Sequence, residues 1–234
     1  MAWYWGDWRL DRYPVCFENC WTGSPLCLPA RASFLTGKYP GELKLEDNAS
    51  PGLNKNSKTW VQSLRKGGYE TGLFGKLHAY KWPEDLRTKE DLVRELGFDH
   101  ICEIPGPRTY GIKKSMYYDY LQEKGLLESY NRDLEERYKR SVYDTKPTPL
   151  PLEDYADVFV MDQALEWINI HGSKREWFLQ ISFGGPHEPW DTPREYVDIY
   201  KDRTMPLPLK KPVNRSEKRA TGVYDELLNG QYDP

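Results

Sequence analysis

Apolar positions along this 234-residue chain change their period several times, and each change marks a predicted element. In "SKTWVQSLRKGG", from Ser57, Trp60, Val61 and Leu64 share one helical face and Gly67-Gly68 stop the helix. "YETGLFGK" then half-alternates as a short strand ending at Gly75-Lys76, and "EDLRTKEDLVRELGFD" reads as a second helix closed by Gly97. "LEDYADVFVMDQALEWINIHG" carries Tyr155, Val158, Phe159, Leu165 and Ile168 at helical spacing, with Gly172 as its cap. The continuous apolar run "EWFLQISF" follows and suits a buried central strand.

Upstream, "SPLCLPARASFLTG" predicts a loop feeding a short helix. Pro29 fits the first turn, where its missing N–H is not needed; Ala32, Phe34 and Leu35 continue the helix, and Gly37 ends it. Residues 105–150 carry proline, tyrosine and many charges without a clear period, and read as an inserted loop region. Residues 201–234, rich in Pro and Lys, read as an irregular tail. Helices alternating with buried strands argue for one α/β layered domain without internal repeats.

Charge narrows the function classes. Lys and Arg number 33 against 36 Asp and Glu, a net of −3, and no basic stripe marks a nucleic-acid surface. No apolar run reaches bilayer length, and "MAWYWGDWRLDRYP" lacks the basic start, apolar core and cleavage site of a signal peptide; as written, the chain is expected in the cytoplasm. Nine Trp and 17 Tyr suit either packing or an aromatic-lined cleft. Cys16 and Cys20 lie close together, but no second pair or nearby His completes a zinc site. Cys16, Cys20 and Cys102 therefore read as ordinary thiols.

Cys27 stands at or just before a helix start, facing unpaired backbone N–H groups and the positive end of the helix dipole. Arg31, four residues on, shares its helical face and brings a guanidinium suited to an anion. Of the four histidines, His100 and His171 read as packed or surface residues, in a polar turn and at a helix end. Lys76 and His78 alternate as they leave a strand, so both can face one spot and hold an oxyanion. His187 follows a strand through Gly184-Gly185-Pro186, a turn open to close approach. Together Cys27, Arg31, Lys76, His78 and His187 form a candidate anion site.

These residues resemble a known family. "CLPARASFLTG" is similar to the sulfatase signature C-x-P-S/A-R-x-x-x-L-T-G, matching at Cys27, Pro29, Ala30, Arg31, Leu35, Thr36 and Gly37. "GYETGLFGKLH" resembles the second block, G-Y-x-T-x-x-x-G-K-W-H, with Leu77 where Trp is common. "GGPHEPWDTP" resembles the P-H-x-P block, and the similarity runs from about Phe17 to about Pro193 in the family's order. The resemblance implies a type I sulfatase with the three-layer alkaline-phosphatase-like α/β fold around a central sheet, incomplete at both ends, residues 1–234 forming a partial catalytic domain.

It also implies a mechanism. A maturation enzyme would read Cys27, Pro29 and Arg31 and oxidise Cys27 to formylglycine, whose hydrate attacks sulfur. Cys27, Arg31 and His78 would be catalytic, and Lys76 and His187 would hold the sulfate of a small-molecule or carbohydrate ester. Calcium, with magnesium the less suited ion, would bind beside the formylglycine, itself one of the ligands. Relatives begin with an apolar strand ending in Asp-Asp and carry a later Asp-Asn/His-Gly block. Asp7 and Asp11 do not replace the first; Asp47-Asn48 and Asp99-His100 read as turn residues. The chain therefore reads as a fragment, expected to be inactive and poorly stable alone. A phosphonate monoester or phosphodiester hydrolase of the same superfamily, or a non-catalytic anion-binding remnant, stands beside that reading. Trp82, Trp190 and the tyrosines of 117–120 would suit sugar stacking or plain packing. Full-length relatives are often periplasmic, secreted or lysosomal.

Overall fold

The computed structural model describes residues 19–140 and 144–204. Asp7, Asp11, Cys16 and most of the predicted tail, 205–234, lie outside them. In chain order the elements are α1 (Cys27–Thr36), α2 (Pro40–Leu43), α3 (Trp60–Lys66), β1 (Glu70–Gly75), α4 (Glu90–Glu95), β2 (His100–Glu103), α5 (Met116–Glu123), α6 (Leu127–Arg140), α7 (Ala156–His171), β3 (Trp177–Ser182) and α8 (Arg194–Tyr200). One unit runs to Val197; a second begins at Asp198 and is described only to residue 204.

The three strands are parallel, in the order β2-β1-β3. β1 pairs Leu73 with Ile101 on one side and with Gln180 on the other. Alternation along each strand sends side chains to opposite faces. Leu73, Ile101 and Phe178 join a core with Leu28 and Ala32 of α1, Val61 of α3, Val93 of α4, and Phe98 just after α4. Phe74, Cys102 and Leu179 join a second core with Tyr117, Leu121, Tyr130, Phe159, Val160 and Trp167, from α5, α6 and α7. Helices thus cover both faces of a parallel sheet, the α/β layering predicted.

The predicted loop over 105–150 is corrected by the structure, because α5 and α6 occupy much of it. Ser115 caps α5 through Tyr118 N–H. Tyr117 and Leu121 on α5, and Tyr130, Leu134 and Arg137 on α6, face inward at three- and four-residue spacing. Buried positions filled by Tyr and by the Arg137–Asp133 pair, 2.5 Å apart, hid this period from a reading based on aliphatic residues. The second predicted helix begins as a 3₁₀ turn over Leu86–Lys89 and becomes α-helical only at Glu90.

Two further readings change. "EWFLQISF" is a strand, but β1, not β3, is central: among the described residues β3 pairs on one side only, and Trp177 and Ile181 are exposed. On α7 the face against the sheet runs through Ala156, Phe159, Val160, Ala164 and Trp167, while Leu165 points outward. The buried stripe thus mixes two alanines with Phe159, Val160 and Trp167, at three- and four-residue spacing, and Leu165 lies off it.

Candidate active site

Cys27 is the first residue of α1, and Leu26 before it offers no side-chain cap. Asn48 supplies one from a distance: its Oδ1 accepts Leu28 N–H at 2.9 Å. Asp47 is a turn residue as read, accepting Ala49 and Ser50 N–H, whereas Asn48 reaches the helix start. Leu28, Pro29, Ala32 and Leu35 anchor the helix in the core, and Gly37, at φ 69°, ends it with an N–H to Ser33 C=O of 2.8 Å.

At the carboxyl end of β1 the chain must leave the sheet sharply. Gly75 has φ 99°, and a Cβ there would lie 2.1 Å from Ser182 O, so only glycine fits. His78 also adopts a left-handed backbone, φ 47°. This turn, and not simple strand alternation, aims Lys76 and His78 at one place. Lys76 Nζ lies 3.8 Å from Cys27 Sγ, and both Lys76 and His78 are buried. The His78 ring stacks on Trp82, centroids 3.8 Å apart.

His187 arrives from the turn after β3. Its Nδ1 faces Glu188, 2.7 Å from the backbone oxygen and 3.0 Å from Oε2, so Nε2 is left for Cys27. Arg108 pairs with Glu188 from behind. Gly184, where a Cβ would collide with Tyr110 Oη, sits beneath this turn. Arg31 takes a supporting place: Nη1 donates to Lys76 C=O at 2.6 Å and to Ser182 Oγ at 2.9 Å, tying α1 to the ends of β1 and β3.

These groups make Cys27 unusual. Hydrogen bonds from His187 and His78, with the nearby Lys76 charge, hold its thiol down to about 5 against the opposing effect of burial. Burial pushes Lys76, His78 and Arg31 below their ordinary values. Cys102, by contrast, is pushed up to about 12 by burial in the second core. The arrangement is a cysteine ringed by N–H donors, a setting suited to a tetrahedral oxyanion.

The family model for sulfatases matches residues 9–229. The chain belongs to the sulfatase family. The chain is 31% identical over 193 residues to a choline-sulfatase of Rhizobium meliloti, covering 80% of the chain and 34% of that relative. It is 25% identical over 200 residues to an N-acetylglucosamine-6-O-sulfatase of Bacteroides thetaiotaomicron, covering 86% and 29%. Among solved structures it resembles the phosphonate monoester hydrolase of Agrobacterium radiobacter, with a TM-score of 0.60, 22% identity, and coverage of 86% of this chain and 39% of the other. The alkaline-phosphatase-like α/β fold is thus shared in part, and the chain spans about a third of the length of the curated relatives it matches.

The described residues do not fit calcium. Hard carboxylate oxygens are required, yet Cys27 is ringed by Lys76, His78, His187 and Arg31, and no group of three or more His, Cys, Asp or Glu among the described residues could hold a metal ion. Nearby acids are engaged elsewhere: Glu188 with Arg108 and His187, and Asp157 with Gly184 N–H at 2.9 Å.

Several residues around the candidate site escaped the sequence reading: Asn48, Ser182, Arg108, Glu188 and Glu103. The last had a visible signal, a lone acid inside the apolar run "HICEIPG". Asp99 and His100 are not turn residues alone: Asp99 accepts Thr71 N–H at 3.1 Å, and His100 opens β2. The proposed sugar-stacking tyrosines are largely packing, since Tyr117 is fully buried and Tyr120 pairs with Asp154. Trp82 spends one face on His78, and Trp190 donates Nε1 to Pro186 C=O at 3.2 Å. No helix among the described residues is long and apolar enough to cross a membrane.

Proposed function

We propose that this chain carries the nucleophile half of a sulfuric ester hydrolase that releases inorganic sulfate from an organic sulfate through a formylglycine made from Cys27. The observation that carries this reading is the convergence of Lys76, His78 and His187 on one cysteine at a helix N-terminus. Once a maturation enzyme has oxidised Cys27 and the aldehyde is hydrated, one geminal hydroxyl attacks sulfur, its proton passes to the alcohol oxygen, and the alcohol leaves with the S–O bonding pair. The second hydroxyl then gives up its proton, the carbon–oxygen bond to sulfate breaks, and the aldehyde re-forms. Lys76 and His187 hold sulfate oxygens as charge grows on them. His78, kept neutral by burial, is suited to accept the hydroxyl proton. Arg31 braces the ends of β1 and β3 and so fixes where these groups point.

The test is mass spectrometry of the Cys27 peptide after co-expression with a formylglycine-generating enzyme. The expected product is about eighteen daltons lighter than the cysteine form. An unmodified thiol under those conditions would favour a non-catalytic anion-binding remnant. Because the described residues do not fit calcium, no step is assigned to a metal, and the isolated chain is expected to show negligible turnover. Names of relatives point to choline and N-acetylglucosamine sulfates, so carbohydrate and small-molecule esters are the substrates to try first. The phosphonate reading is favoured by the likeness to a phosphonate monoester hydrolase. Compared rates of an aryl sulfate and an aryl phosphonate, in a full-length form, separate the two.

A further inference from the structure

Glu103 ends β2 beside Gly75 of β1 and is buried, with 6% of its surface exposed. Its carboxylate accepts from one short stretch of chain. Oε2 takes the Tyr80 hydroxyl; Oε1 takes Trp82 Nε1 at 3.4 Å and His78 N–H at 3.5 Å; Leu77 N–H also points to it. All of these donors lie in residues 77–82, the turn that leaves β1. That turn contains a histidine in the left-handed region, which a non-glycine residue keeps only when its surroundings hold it there.

We propose that Glu103 is the positioning residue of the anion site: it gathers the turn so that Lys76 and His78 face Cys27. Two routes lead from its carboxylate to the site. One is direct, through the backbone N–H groups of Leu77 and His78. The other passes through Trp82, whose indole hydrogen-bonds Glu103 while its ring stacks on His78 and lies 5.6 Å from Lys76 Nζ. A carboxylate is the side chain suited to this role because it accepts from several directions and donates nothing when ionised. Glutamine would turn an NH₂ group toward donors, leaving some unpaired in a buried place. Burial pushes the Glu103 carboxyl up to about 7, and the four donors oppose that rise, which marks how closely they surround it. Glu103 takes its side-chain hydrogen bonds all from this turn, while its charge also reaches Arg31. It has this role only if Cys27, Lys76, His78 and His187 form the anion site proposed above.

The test compares Glu103→Gln with the unaltered 234-residue chain, Cys27 being unmodified. Two quantities are read: the rate of Cys27 alkylation by iodoacetamide from about pH 6, where a depressed thiol still reacts, to about pH 8, where Glu103 is ionised, and amide exchange over residues 76–82. We expect a folded variant whose Cys27 alkylates about fivefold more slowly, with faster exchange in 76–82 and unchanged exchange in α7. A folded Glu103→Gln protein with unaltered alkylation overturns the assignment. If that variant does not fold, Tyr80→Phe decides, since it removes one donor and leaves the carboxylate. About twofold slower alkylation supports the role; an unchanged rate overturns it. This assay needs neither oxidation of Cys27 nor turnover. Failure of the anion-site reading would instead appear in the unaltered chain, as a Cys27 no more reactive than exposed Cys20.

Discussion

The two ends of the parallel sheet carry similar residue types and do different things. At the amino end, His100 Nε2 lies 2.7 Å from Glu70 Oε1, and His171 Nδ1 is 3.9 Å from the same oxygen. His171 stacks on Trp167 with centroids 4.9 Å apart. At the carboxyl end, two histidines again meet an indole and a charged partner, but the partner is Lys76 and the centre is Cys27. One end is balanced by a carboxylate and finished. The other gathers donors around the Cys27 thiol while its carboxylates, Glu103 and Glu188, hold those donors from behind. The proposed anion site differs from the amino end in the sign of what faces its centre, not in the presence of histidine, and it lies where parallel strands open into loops.

The largest effect separates two cysteines on either side of that difference. At about pH 7, Cys27 is expected to alkylate on the order of a hundredfold faster than Cys102, because their thiols are held to about 5 and about 12. Peptide-resolved mass spectrometry over a pH series checks this, and similar rates would erase the contrast between site and core. The same shift has a stability sign. Cys27 has a folded value below its ordinary 9.0, so its contribution is fully present above that value and fades as pH falls through about 5. Glu103 works in the opposite sense: raised above 4.5, it favours the fold most below that value and loses this contribution as pH rises through about 7. Thermal melts between those limits, in the native chain and in Cys27→Ser, should diverge as pH rises.

The next effect concerns anions. Lys76→Met should weaken binding of inorganic sulfate by about tenfold, equivalent to about 1.4 kcal/mol, whereas His171→Asn at the other end should leave it unchanged. Calorimetric titration decides, and equal losses from both substitutions would break the comparison. Smaller still, Glu70→Gln removes the carboxylate that balances the amino end. It should lower stability by about 1 kcal/mol without altering Cys27 alkylation, read by melting and by the same mass assay. Smallest of all, calcium or a chelator should shift the melting temperature by less than about 1 °C, since the described residues hold no metal-binding cluster. A shift of several degrees would show hard ligands among residues outside that set.

Much of the site was legible because its signals are local. "CLPARASFLTG" contains its own helix start, cap and nucleophile, and α1 begins at Cys27 and ends at Gly37 as that pattern implies. "GYETGLFGKLH" contains a strand and the glycine that breaks it, and β1 stops at Gly75. The helices over 116–140 were missed because tyrosines and a buried Arg137–Asp133 pair fill their inner face, so the period is written in residues that usually mark surfaces. Strand β2 was missed because four residues, with His at one end and Glu at the other, carry no alternation to read.

Sequence alone determined where the backbone turns and which side chains could do chemistry, because caps, glycines and apolar period act between neighbours. Tertiary structure decided the rest. It placed His187 against Cys27, tied Arg31 Nη1 to Lys76 and Ser182, and put Glu103 beneath the turn that carries His78. It also made β1 the central strand and left β3 paired on one side among the described residues. Burial and charge balance depend on partners brought from distant parts of the chain, and only the packed sheet says which ones meet.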